Sequence, residues 1–298
     1  MWKFPFRLAR KRSGPVSADS VPGEQIPAMI TPDESAFYEE SARASTGKFG
    51  AIIDLGCWLG STSVALARGI ANPNNQQQNE KVLGFDLFRW EQWMPADVPY
   101  CLYQTGDSFL PEARRLTRDH GSSKVELIQT DLTTYEWTSG PIKILLVDAM
   151  KNEALARQIT QSFYPSLIPG ALLIHQDFKH FHTTWIHLLH HELREYFQLS
   201  RVVPNSTTVA FEARKAIPIE AAKRATDFGK LSDDQIDECF RYSVELVGSD
   251  DCANVAAAHV MHYLHLGRKD QARVTLDRYR RMKEKGDLAI VASRLKSR

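Results

Sequence analysis

Five carboxylates stand out because each closes a short apolar run. Asp54 follows Ala51-Ile-Ile, Asp86 follows Lys81-Val-Leu-Gly-Phe, Asp131 ends Val125-Glu-Leu-Ile-Gln-Thr, Asp148 follows Ile142-Lys-Ile-Leu-Leu-Val, and Asp177 follows Ala171-Leu-Leu-Ile-His175-Gln176. Carboxylates are rarely buried unpaired, so packing alone does not explain an acid repeated at this place. In an open parallel sheet the carboxyl ends of the strands line one crevice, and an acid there can accept both hydrogen bonds of a ribose diol; Asp86, some thirty residues after Asp54, suits that role. Next to Asp54 stand Gly56 and Gly60, then Ser61, Thr62 and Ser63. Two glycines let the backbone turn sharply and approach a ligand closely, and the small hydroxyl residues fall where a helix N-terminus exposes unpaired N–H groups. A second chemistry is spelled by His175-Gln-Asp177, the H-x-D of a two-His-one-carboxylate iron site, with His180, His182, His187, His190 and His191 close behind.

The elements that must position these groups decide between the chemistries. The apolar runs are short and alternate with helical patterns, which predicts an α/β fold with a parallel sheet and not the many short strands of a jelly-roll. That disfavours the iron site. Most of the histidines fall on a helix whose apolar stripe is Trp185, Ile186, Leu189, Leu193 and Phe197, with His187, His190 and His191 flanking it. Thr31-Pro-Asp-Glu34 is a capping box that starts a helix running to about Ala44. Further helices are expected over Asp107–His120 and from Asn152 to about Leu167; the fifth strand is expected after the Pro169-Gly170 turn. Phe197–Val203 and Thr207–Ala213 read as a terminal strand pair. The aromatic stretch Leu87–Tyr103 either packs beneath the domain or forms a lid over an acceptor pocket. From Pro218 the pattern is purely helical, with a cap at Ser232 and a break at Gly267. Leu264, Leu266-Gly267 and Ala272 resemble one tetratricopeptide-like hairpin.

Length and composition bound the rest. The 298 residues suffice for one large domain with an appendage. We divide them into a basic tail and linker (1–30), an α/β domain (31–215) and a helical region (216–298). The net charge of +1 gives no electrostatic case for nucleic acid. Cys57, Cys101, Cys239 and Cys252 are scattered, without C-x-x-C, and read as reduced cytoplasmic thiols. No apolar run approaches a membrane span, while Met1–Arg12 mixes aromatics with cations in a way suited to touching an anionic membrane surface.

The turn after Asp54 lacks the G-x-G-x-x-G spacing of dinucleotide folds and the Lys-Ser/Thr of a P-loop. Its acid-x-Gly-x-x-x-Gly form instead resembles the S-adenosylmethionine (SAM) site of class I methyltransferases, in the catechol/caffeoyl-CoA and macrocin-type O-methyltransferase branch, which tolerates a bulky residue where Trp58 stands. The resemblance implies a Rossmann-like, seven-stranded, mostly parallel sheet, and places Asp54, Gly56, Trp58, Gly60, Ser61, Thr62, Asp86, Asp131 and Asp148 at SAM. The branch also carries an acid followed three residues later by lysine at the fourth strand end, matched by Asp148 and Lys151, and a paired acidic motif at the fifth, where this chain has Gln176-Asp177. By resemblance, Asp148, Gln176 and Asp177 hold Mg²⁺, and Lys151, with its pKa depressed, takes the proton of a small-molecule or sugar hydroxyl. Gln176 departs from the expected acid and lowers the charge of the site. Without metal, His175 or Lys151 is the base. Two alternatives stand beside this reading: a metal-independent methyltransferase, and a degenerate SAM-binding domain acting as a partner. The C-terminal helices would serve as a cap, a docking module or a homodimer surface.

Overall fold

The computed structural model describes residues 26–71, 79–94, 103–121, 123–282 and 286–296. The basic tail, most of the polar loop after Ala71, and Pro95, Pro99, Tyr100 and Cys101 of the aromatic stretch lie outside the described residues. Among them the chain runs α1 (Pro32–Ala44), β1 (Ala51–Leu55), α2 (Ser61–Ile70), β2 (Val82–Asp86), α3 (Leu110–His120), β3 (Val125–Gln129), β4 (Ile142–Val147), α4 (Glu153–Phe163), β5 (Leu167–His175), α5 (Trp185–Glu192), β6 (Phe197–Val202) and β7 (Val209–Ala213). The seven strands form one sheet in the order β3-β2-β1-β4-β5-β7-β6. The first five are parallel; β7 runs antiparallel to both β5 and β6. The strand order reverses between β1 and β4, so the crevice of this sheet opens there.

Two local expectations change. β5 starts at Leu167, and Pro169 and Gly170 lie inside it instead of preceding it. Proline has no N–H for the ladder and Gly170 sits at φ +80°, so the pairing with β4 slips between Ile142 and Ile144 and resumes at Leu172. On α5, His187 and His190 do not flank the buried face: both are fully or almost fully buried with Ile186, Leu188 and Leu189.

That burial comes from the C-terminal helices, α6 (Ile219–Ala225), α7 (Asp233–Val247), α8 (Cys252–His265), α9 (Lys269–Arg278) and α10 (Gly286–Lys296). They share one apolar cluster with the sheet: Phe163, Phe211, Leu188, Phe240 and Val260 belong to the same core. His187 rings against Phe178 and Phe240 at 4.9 Å each, and His262 Nδ1 meets Thr184 Oγ1 at 3.0 Å. Lys179 is fully buried beneath this junction and donates to the Val203 carbonyl (3.0 Å) and to Asp251 Oδ2 (2.7 Å). No helix among the described residues is long and apolar enough to cross a membrane.

On the opposite face α1 is locked against α2. A Cβ at Gly69 would lie 2.3 Å from the Glu39 carbonyl oxygen, so the two helices approach at backbone contact. The capping box forms: Glu34 accepts from the Thr31 amide (2.7 Å) and Thr31 Oγ1 accepts from the Glu34 amide. Glu34 is also buried, and its other oxygen accepts from Thr208 Oγ1 at 2.6 Å. With that proton committed, the Tyr38 hydroxyl is the donor in its 3.0 Å contact with Thr208. Thr208→Val keeps the shape and strands Glu34 and Tyr38, so urea unfolding should show a loss of about 1–3 kcal/mol. A loss within error would mean that these bonds do not hold α1.

The buried imidazoles make stability depend on pH. Burial lowers the pKa of His175 and of His187 to about 3, and that of His190 further below its usual value. An unfolded histidine titrates near 6.5, so below that pH the unfolded chain binds protons that the folded chain refuses. The stabilisation is complete above about pH 6.5 and is lost as pH falls toward 3. At pH 5 each ring should withdraw about 2 kcal/mol. The urea midpoint should therefore drop steeply between pH 7 and 5. A flat profile would mean that the rings titrate within the fold.

Candidate active site

The turn after β1 is built by its glycines. Gly56 and Gly60 stand at φ +89° and +92°, and Trp58 between them at +49°. A left-handed tryptophan is a strained choice, costing on the order of 1–3 kcal/mol. Its indole is nevertheless buried, 6.5 Å from the Trp90 ring, in a cluster with Phe88 and Phe109. Thus Phe88, Trp90 and Tyr103 of the aromatic stretch pack into this cluster, while Leu87 and Trp93 are exposed. A Cβ on Gly56 would come within 3.1–3.3 Å of the Asp148–Ala149 backbone; one on Gly60 would lie 2.2 Å from Thr117 Cγ2. The turn therefore rests directly on the end of β4 and on α3.

Two carboxylates hold this turn, and a third stands past the end of β3. Asp54 is fully buried; its Oδ2 accepts from Thr62 and Ser63 at 2.6 Å each, and its Oδ1 has no partner. Burial pushes its pKa up to about 6 against those two bonds. Asp86 accepts from the Trp58 amide (2.9 Å) and the Phe88 amide (2.8 Å), one per oxygen, so each oxygen keeps a further lone-pair site. Ser61 and Thr62 open α2, whose N-cap Gly60 offers no side chain, and the first amides of the helix keep their anion-binding character. Asp131 is exposed just past β3, where its Oδ1 closes a turn on the amide and hydroxyl of Thr133.

The second cluster lies one strand over. The Asp148 amide bonds the Leu55 carbonyl and the Gln176 amide bonds the Val147 carbonyl, so the ends of β1, β4 and β5 stand side by side. Lys151 Nζ lies between two carboxylates, 2.5 Å from Asp148 Oδ1 and bonded to Asp177 Oδ2. Burial acts to lower the lysine pKa, but the two acids outweigh it and raise it above the usual value. In this arrangement Lys151 is a proton-bearing cation, opposite to the depressed state that a base would need. Burial and the neighbouring Asp177 push Asp148 up. For Asp177, burial is outweighed by Lys151 and His180, and its pKa falls below the usual range.

His175 is not brought to the crevice. Its ring is fully buried, Nε2 meets the Tyr164 hydroxyl at 2.8 Å, and it packs 4.9 Å from His190. The alternation of β5 turns it into the core, which corrects the expectation that it is a catalytic base. The Gln176 side chain is almost fully buried and its Oε1 has no partner. The residues that sequence reasoning missed are Tyr38 and Thr208, with Glu34 noted only as a cap. Electrostatically, Glu34 feels Asp177, and Tyr38 feels Glu34, Asp148 and Asp54. Only the i,i+4 spacing of Glu34 and Tyr38 on one helix face hinted at this.

No protein-family model and no curated protein matches the chain. Solved structures do. The O-methyltransferase NovP aligns at 15% identity over 63% of this chain and 82% of its own, with a TM-score of 0.51. The calicheamicin methyltransferase CalS11 aligns at 15% identity over 60% and 78%, with a TM-score of 0.45. An O-methyltransferase from Bacillus cereus aligns at 13% identity over 63% and 84%, with a TM-score of 0.44. The strand order, the reversed last strand and the likeness to NovP together establish that this chain has the fold of the class I SAM-dependent methyltransferases.

Proposed function

We propose that the protein transfers a methyl group from SAM to a hydroxyl oxygen of a small molecule or sugar. The observation that carries this reading is the meeting of two polar clusters at one crevice: the glycine turn with Asp54 and Asp86, and Asp148, Lys151 and Asp177 beside it. Gly56 leaves backbone open where a side chain could not stand, and the partnerless Asp54 Oδ1 lies at the same strand end. Asp54, Gly56, Gly60, Ser61, Thr62 and Asp86 would hold the cofactor, Asp86 through its remaining lone pairs. SAM supplies an activated methyl group on a sulfonium. The chain's contribution is placement: the acceptor oxygen must be held in line, and that positioning supplies much of the rate. The sugar as acceptor rests on the macrocin-type resemblance alone.

The donor set of the second cluster fits a hard divalent cation. Two convergent carboxylates and a buried, partnerless amide oxygen are oxygen ligands of the kind Mg²⁺ takes, and the Lys151 ammonium already stands between the two acids as a cation. Asp148, Gln176 and Asp177 would hold the ion, which would supply Lewis-acid activation of the acceptor hydroxyl. The same ammonium also favours a second reading, in which Lys151 itself provides the positive charge and no metal is used. In both, Tyr38 and Glu34 of α1, buried beside these acids, would back the acceptor side.

Calorimetry with SAM should show binding, and Asp86→Ala should weaken it about 10–100-fold through the loss of charge-assisted bonds. No heat and no saturable binding in the wild-type chain would end the cofactor reading. The metal reading is tested by Mn²⁺ binding followed by electron paramagnetic resonance. Asp177→Asn should weaken it, and Lys151→Met should tighten it about tenfold by removing a competing, partly exposed charge. If Mn²⁺ does not bind, or if both variants bind it like wild type, the metal-free reading stands.

A further inference from the structure

A separate cluster lies between α5 and α7, away from the strand ends. We propose that His191, Glu192 and Cys239 form a Zn²⁺ site that clamps the end of α5 to α7. One ligand atom from each lies within 4.8 Å of the other two. His191 Nδ1 and Glu192 Oε1 are already 3.3 Å apart, close to the roughly 3.5 Å between neighbouring ligand atoms around a tetrahedral zinc. Thiolate, imidazole and carboxylate together are a zinc donor set; Mg²⁺ and Ca²⁺ take oxygen ligands only.

Cys239 belongs to the buried apolar core, and its sulfur lies within 4.8 Å of a ligand atom of both polar side chains. Zinc binding breaks the S–H bond, forms S–Zn and releases one proton to solvent, with no change of oxidation state. Arg194 stands beside the cluster, anchored to the His191 carbonyl at 2.5 Å. Three protein ligands leave a fourth position, open to water on the side where Glu192 is exposed. The other buried histidines of this region are less suited: His187 and His190 are packed against aromatic rings and pair with no carboxylate among the described residues.

The test uses metal-free full-length protein and Co²⁺ as probe. About one equivalent of Co²⁺ should produce a near-ultraviolet thiolate-to-cobalt charge-transfer band, and Zn²⁺ should erase it by displacement. Cys239→Ser should abolish the band, and His191→Ala should weaken Co²⁺ binding at least tenfold. Asp177→Asn should leave the band intact, which separates this site from the all-oxygen cluster at the strand ends. Because Cys239→Ser alters the core, a second arm leaves the thiol in place. Zn²⁺ should raise the urea midpoint of the wild-type chain, and His191→Ala should lose most of that rise. No charge-transfer band, or a band that survives Cys239→Ser in a folded protein, would overturn the proposal.

Discussion

The constraint on which this molecule turns is the crowding of carboxylates at one edge of a sheet. Glu34, Asp54, Asp86, Asp148 and Asp177 converge where burial penalises every charge, and like charges penalise one another. The chain answers with a different device for each. Two hydroxyls of α2 hold Asp54, two backbone amides hold Asp86, Lys151 bridges Asp148 and Asp177, and Thr31 with Thr208 holds Glu34. The compensation is incomplete by design of the topology: Asp54 Oδ1 and Gln176 Oε1 keep no partner. Orphaned buried oxygens are costly, and a ligand that supplies donors or a cation would relieve them.

Those devices also explain the neighbouring architecture. Thr62 and Ser63 reach Asp54 only because Gly56 and Gly60 fold the turn back on itself. Thr208 reaches Glu34 only because α1 packs at backbone contact on Gly69 of α2. The helix over the crevice and the turn beneath it are thus parts of one charge-compensating frame, and the cost of a tryptophan at φ +49° is offset by burying its indole against Trp90.

The C-terminal helices have another origin. α5 presents imidazoles on its buried face, and neutral imidazole is tolerated among aromatic rings as long as it stays unprotonated. α7 and α8 supply that cover through Phe240, His259 and His262, while Lys179 and Asp251 pin the junction with a partly buried ion pair. The helical region shares its apolar core with the sheet.

The sequence alone determined the local grammar. Alternating apolar runs and helical spacing predicted the α/β fold, the Thr31-x-x-Glu34 box predicted α1, and an acid at the close of each run marked the edge at which a site could lie. These are short-range signals, readable because strand, turn and cap chemistry act within a few residues. Tertiary structure decided which of the acids meet and what each one faces. His175 sits one residue from a candidate ligand yet points into the core, because strand alternation and Tyr164 fix its side. Lys151 stands three residues from Asp148, but only the adjacency of β4 and β5 places Asp177 on its other side and raises its pKa. Thr208 and Tyr38 are 170 residues apart and gave no sequence sign of their contact. Charge acts through space, and its sign at a group depends on neighbours that only the closed fold brings together.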